Sequence, residues 1–167
     1  SALVVDKDGP FPLTFSASAA AIVLAGGIPR FAEVDPITFC ITKETVKRAL
    51  TERVRGILPV HLFGRMADLD SLASLGLPVL EDACQAVGSH RNKRYSGTVG
   101  LAGAYSFGGQ KQVSGGEGGC LVTQTQAVAS AARLMMNHGE NFGGPVGYNY
   151  RPAESVCKEI LHGLYNL

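Results

Sequence analysis

The sequence predicts an α/β domain built from stacked βα units around a largely parallel sheet. Short apolar runs rich in branched residues alternate with helical patterns, and glycine, proline or a helix-capping residue separates most of them. The 167 residues are 46% hydrophobic and 17% charged, enough apolar material for one domain with its own core. No internal repeat or low-complexity linker interrupts the alternation.

Taken in order, Ser18 to Leu24 reads as a small-residue helix closed by Gly26 and Gly27, and Ile28 to Val34 as a strand ending at Asp35-Pro36. Thr42 caps a helix running to Leu50, Gly56 to Val60 is a buried strand, and Ala67 to Leu75 is a second helix ending at Gly76. Pro78 to Leu80 makes the next strand. It delivers Glu81 and Asp82 to its carboxyl end, the edge at which open α/β sheets take ligands. His90 to Gly100 is polar and glycine-containing, a turn or small hairpin, and Ala102 to Phe107 is a strand. The loop from Gly108 to Gly119 holds six glycines in its twelve positions and leads into a strand from Cys120 to Thr123. Gln126 to Asn137 is an amphipathic helix, with Leu134, Met135 and Met136 expected to pack as core. Gly139 to Gly147 is a glycine-rich loop, and Pro152 opens a last helix.

Composition narrows the function classes. A net charge of +1 with both signs interspersed gives no basic stripe for nucleic acid and no charged face for an acidic membrane. The four cysteines, Cys40, Cys84, Cys120 and Cys157, lack the close pairing of zinc sites or disulfide scaffolds, so no metal is expected and a reducing, cytoplasmic setting is. The most apolar stretch, Ala17 to Gly27, is too short to span a bilayer, and no basic leader precedes it; neither export nor an anchor is expected.

Two residues stand out for chemistry. A loop lysine is ordinarily just solvated, but Lys111 lies among glycines that let the backbone approach a ligand closely. In its neutral form such an amine attacks carbonyls. Asp82 would ordinarily be a cap or an ion-pair partner. Following an apolar strand, however, its burial is costly without a cationic or hydrogen-bonding partner, and a protonated pyridine nitrogen is one. A lysine that forms a Schiff base and an acid on the ring nitrogen are the recurrent pair of pyridoxal 5'-phosphate (PLP) enzymes.

E-D-A-C-Q-A from Glu81 and Y-S-F-G-G-Q-K-Q from Tyr105 resemble the DegT/DnrJ/EryC1/StrS aminotransferases, which are fold-type I PLP enzymes. The resemblance continues in P-V-H-L-F-G (Pro59 to Gly64), G-E-G-G (Gly116 to Gly119), N-H-G (Asn137 to Gly139) and G-Y-N-Y-R (Gly147 to Arg151), and it covers nearly the whole chain from Phe11 onward. It implies a three-layer α/β/α sandwich. It also implies that Lys111 holds PLP as a Schiff base, that Ser106 touches the cofactor phosphate, that Asp82 meets the ring nitrogen and that Gln85 contacts the ring hydroxyl. Phe15 matches an aromatic that stacks on the pyridine face; its alternative role is that of an ordinary core phenylalanine. Asn149 matches an asparagine that reaches the phosphate of a neighbouring subunit, which implies a homodimer. His61 and His138 lie in family motifs but read equally well as structural histidines near turns.

The implied reaction moves an amino group from glutamate or glutamine to a keto acceptor, a nucleotide-linked keto-sugar or a keto-cyclitol. Family chains are longer at both ends, so residues 1–167 are expected to be part of the large PLP-binding domain and inactive alone. Ser1 to Gly9 departs from the family pattern, and Gly108-Gly109-Gln110 replaces the commoner aromatic-proline-threonine before the lysine. Some members are dehydratases that lack the Schiff-base lysine, and Lys111 argues against that branch. The rival readings are an inactive remnant and a nucleotide-binding or regulatory module. The latter would need a G-x-G-x-x-G or Walker loop opening a helix after an early strand, and neither is found.

Overall fold

The computed structural model describes residues 13–139 and 147–167, so Ser1 to Gly9 and most of the Gly139 to Gly147 loop lie outside the described residues. The elements are α1 (Ser16–Leu24), α2 (Lys43–Ala49), α3 (Leu69–Ala73), β1 (Leu80–Asp82), β2 (His90–Arg91), β3 (Arg94–Tyr95), β4 (Ala102–Ser106), β5 (Gly119–Val122), α4 (Gln126–Met136) and α5 (Glu154–Tyr165). The class is α/β as expected, with a mixed sheet. β1 and β4 pair in parallel, Asp82 opposite Ala104, and β5 closes the sheet as an antiparallel neighbour of β4.

Local chemistry accounts for several boundaries. Thr42 starts α2 through a capping box, its hydroxyl accepting from the Thr45 N–H at 3.2 Å while the Thr45 hydroxyl accepts from the Thr42 N–H at 3.0 Å. Asp68 caps α3 by accepting from the Ser71 N–H at 3.3 Å. β2 and β3 form a hairpin whose two turn residues, Asn92 and Lys93, have φ of 51° and 61°, the left-handed pair that a two-residue hairpin turn demands.

Other expectations are corrected. Ile28 to Val34 does not form a strand: among the described residues its one ladder contact is the antiparallel bridge from Val34 to Ile41. That bridge closes a turn in which Asp35 Oδ1 accepts from the Thr38 N–H at 2.8 Å. Gly56 to Val60 joins the sheet only at Ile57, bridged to Val79, and at Val60, bridged to Asp82, both parallel. The strand expected at Pro78 to Leu80 begins at Leu80 and contains both acids. The α4 side chains expected as core are not buried, and neither core cluster reaches that helix.

The larger cluster joins Val46 of α2, Leu69 and Leu72 of α3, and Ile57 and Val79 beside the sheet. The second joins Val87, Phe107, Val113 and Ile160. Between hairpin and sheet the chain leaves no room at Gly103, where an added Cβ would overlap the carbonyl and Cα of Gly97. Gly103→Ala is therefore expected to destabilise the protein by about 1–3 kcal/mol, read as a lower urea midpoint at unchanged slope.

Candidate active site

The parallel sense of β1 and β4 puts their carboxyl ends on one edge, and Val60, bridged in parallel to Asp82, ends there too. Three segments leave from this edge, after Val60, after Asp82 and after Ser106, and each carries a residue singled out from sequence or its partner.

Asp82 is half-buried and held from two sides. Its Oδ2 accepts the Ser18 hydroxyl of α1 at 2.6 Å, and its Oδ1 accepts the Cys84 N–H at 3.1 Å. Gln85 uses its side-chain oxygen to accept the Phe63 N–H at 3.1 Å. Phe63 has φ of 53°, a left-handed conformation that a bulky residue adopts only when its surroundings enforce it. Gln85 thus ties the turn at Leu62–Gly64 to the segment that follows β1.

The lysine loop is fixed at its base and tightly turned inside. The Phe107 N–H donates to the Gly118 carbonyl and the Gly115 N–H to the Phe107 carbonyl, both at 2.9 Å, while the Lys111 N–H donates to the Gly108 carbonyl at 2.9 Å. Val113 anchors the loop in the core with Phe107 and Ile160. A Cβ added at Gly115 would come within 2.8 Å of the Ile160 side chain, so α5 lies directly against the loop. Lys111 Nζ reaches over the Phe15 ring, 6.0 Å from its centroid. Within these residues Phe15 is 64% exposed.

Burial pushes the pKa of the Cys84 thiol up to about 12, the neighbouring Asp82 carboxylate adds to the rise, and the Lys111 charge opposes it. Phe15 caps α1, whose Ser18 bonds Asp82, and Lys111 Nζ lies over the Phe15 ring, so the three share one neighbourhood, with Ser106 at the end of β4 and Gln85 on the segment after β1. Asn149 is exposed and bridged to Asn137, and the tyrosines on either side of it in sequence, Tyr148 and Tyr150, stack on each other. Among the described residues, no hydrogen bond or ring contact joins Asn149 to the other five.

The DegT/DnrJ/EryC1/StrS aminotransferase family matches this chain over residues 11–164. The chain belongs to that family. A pleiotropic regulatory protein of Geobacillus stearothermophilus is 39% identical over 146 residues, covering 83% of this chain and 39% of its own. An L-glutamine:scyllo-inosose aminotransferase of Streptomyces griseus is 38% identical over 131 residues, covering 76% of this chain and 31% of its own. Among solved structures, DesI in the presence of its TDP-sugar product superposes with a TM-score of 0.85 at 32% identity, covering 92% of this chain and 41% of that one. This DegT-family chain thus spans less than half the length of each relative named.

Two features of the DegT-family site were not read from sequence. The acid that is fully buried is Glu81, 1% exposed, not Asp82. It accepts from His61 Nε2 at 2.8 Å and from the N–H groups of Gly97, Val99 and Gly100 at 2.6–2.7 Å. The Ala67 N–H donates to His61 Nδ1 at 3.3 Å, which leaves the ring proton on Nε2, pointed at Glu81. The second is Ser18, whose contact with Asp82 spans 64 positions of sequence. Among the described residues, no cluster of three or more His, Cys, Asp or Glu is arranged for a metal, and no helix is long and apolar enough to cross a membrane.

Proposed function

We propose that these residues form part of the large domain of a PLP-dependent aminotransferase, in which Lys111 carries the cofactor. The observation that supports this best is the meeting of a primary amine, an open aromatic face and an anchored carboxylate at the carboxyl edge of a parallel strand pair. The donor set fits PLP, a flat anionic carbonyl compound with a basic ring nitrogen. Bound PLP supplies a carbonyl that condenses with amines and a ring that takes up the electrons released at the substrate α-carbon.

Each residue then has a defined task. Asp82 holds the ring nitrogen in its protonated form, and Phe15 covers one face of the ring. Gln85, whose oxygen is engaged by Phe63, offers its NH2 group to the ring hydroxyl. Ser106 donates to the phosphate. Asn149, exposed on its own segment, serves the phosphate of a second subunit in a homodimer. With the cofactor bound, Lys111 would serve as the general base and acid that takes up and returns the substrate α-proton.

The amino donor is glutamate or glutamine, and the acceptor is a nucleotide-linked keto-sugar or a keto-cyclitol. The names of the cyclitol aminotransferase and of DesI with its TDP-sugar product support this range. A non-catalytic regulatory module is the second reading, favoured by the name of the Geobacillus relative. Asp82→Asn in the full-length protein separates the two. The enzyme reading expects retained but weaker PLP binding with most transamination lost, and activity within a few-fold of the parent would remove Asp82 from the mechanism. The 167-residue chain alone is expected to show no turnover.

A further inference from the structure

The residue that α1 buries within this chain is a serine. The helix sequence, SASAAAIVL, is almost wholly apolar, yet its buried residue is Ser18, 5% exposed, while Leu24 is 82% exposed. Alanine would suit a helix interior better than serine, and a buried hydroxyl without a partner is costly. The partner is Asp82 Oδ2 at 2.6 Å. With the Cys84 N–H on Oδ1, each carboxylate oxygen has its own donor, which fixes the rotation of the group. Two of its roughly four acceptor sites are used, and the others remain for a ring N–H. The same helix start carries Phe15 as its cap residue, and the Ser18 N–H donates to the Phe15 carbonyl at 3.2 Å. One turn of chain therefore sets both the ring-covering aromatic and the orientation of the acid.

We propose that Ser18 is a positioning residue, acting through Asp82 to aim its carboxylate at the cofactor ring nitrogen. This rests on the reading of the site as a PLP site. A purely structural role for Ser18, tying α1 to β1, predicts different couplings, so the test is a double-mutant cycle in the full-length protein. Threonine and valine have nearly the same shape and differ in the hydroxyl. Ser18→Thr and Ser18→Val are made with and without Asp82→Asn, and each variant is read by equilibrium PLP titration, by the rate of the donor half-reaction and by its melting temperature.

Ser18→Val is expected to weaken PLP binding and slow the half-reaction by about ten-fold or more, the range for a hydrogen bond to a charged group. Ser18→Thr is expected to recover most of that loss, and in the Asp82→Asn background Ser18→Val should add little. An equal loss in both backgrounds, or no advantage of threonine over valine, overturns the proposal. If the bulk of valine prevents folding, Ser18→Ala carries the same comparison. A wild-type protein that binds no PLP would defeat the functional reading before Ser18 enters, and the proposal with it.

Discussion

Replacing Lys111 by alanine in the full-length protein is expected to lower transamination by about a thousand-fold or more. Two functions leave together: the amine that holds the cofactor, and the general base that moves the α-proton, which alone is commonly worth roughly 10²–10⁴-fold. The fold should tolerate the change, because the loop is held by Phe107, Gly115 and Gly118 backbone bonds and by the buried Val113, not by the lysine side chain. Unaltered melting with abolished long-wavelength absorbance of bound PLP is the expected pair of results. A Lys111→Ala protein that still turns over at a rate near the parent's would place the chemistry elsewhere.

Glu81→Ala is expected to have the largest effect on stability. It would leave four donors without their acceptor: the buried His61 Nε2–H and Gly97 N–H, and the part-buried N–H groups of Val99 and Gly100. Removing one member of such a buried network costs about 3–5 kcal/mol, measurable by urea unfolding. Burial by itself would raise the Glu81 carboxyl, but the bonds from His61, Gly100, Gly97 and Val99 outweigh it and hold the pKa below the ordinary carboxylate value. The folded pKa is thus lower than the unfolded one. Its stabilisation is complete above the ordinary carboxylate range and is lost as pH falls through the folded value. Glu81→Gln should accordingly flatten the acid limb of the stability profile. A Glu81→Ala protein within about 1 kcal/mol of the parent would contradict this account.

Features set by nearby residues were legible in the sequence. The Thr42 cap, the hairpin within His90 to Gly100 and the glycine-rich loop around Lys111 are local chemistry, and the structure has a capping box at Thr42 and a two-stranded hairpin in that stretch, its turn residues Asn92 and Lys93 emerging only from the backbone. What depends on distant partners was not. Ile28 to Val34 has strand-like residues, but a strand also needs a neighbour, and the described residues offer one only at Ile41. Alternation along a strand sends Glu81 and Asp82 to opposite faces, and which acid is engulfed depends on where residues 97–100 pass. Ser18 gave no signal, because a serine in a small-residue helix is unremarkable until Asp82, 64 residues on, comes to lie beside it. The packing of α5 against Gly115 is likewise long-range. For the candidate site, then, the sequence yielded residue types and the sheet edge, while the groups that hold them in place came from tertiary contacts.

The central claim is that Lys111 carries PLP, and covalent capture tests it most directly. The full-length protein is incubated with PLP, reduced with borohydride, digested and mapped by mass spectrometry. A phosphopyridoxyl group on the peptide containing Lys111 is the expected result. Labelling at a different lysine, or none above background in protein that is folded, would contradict it.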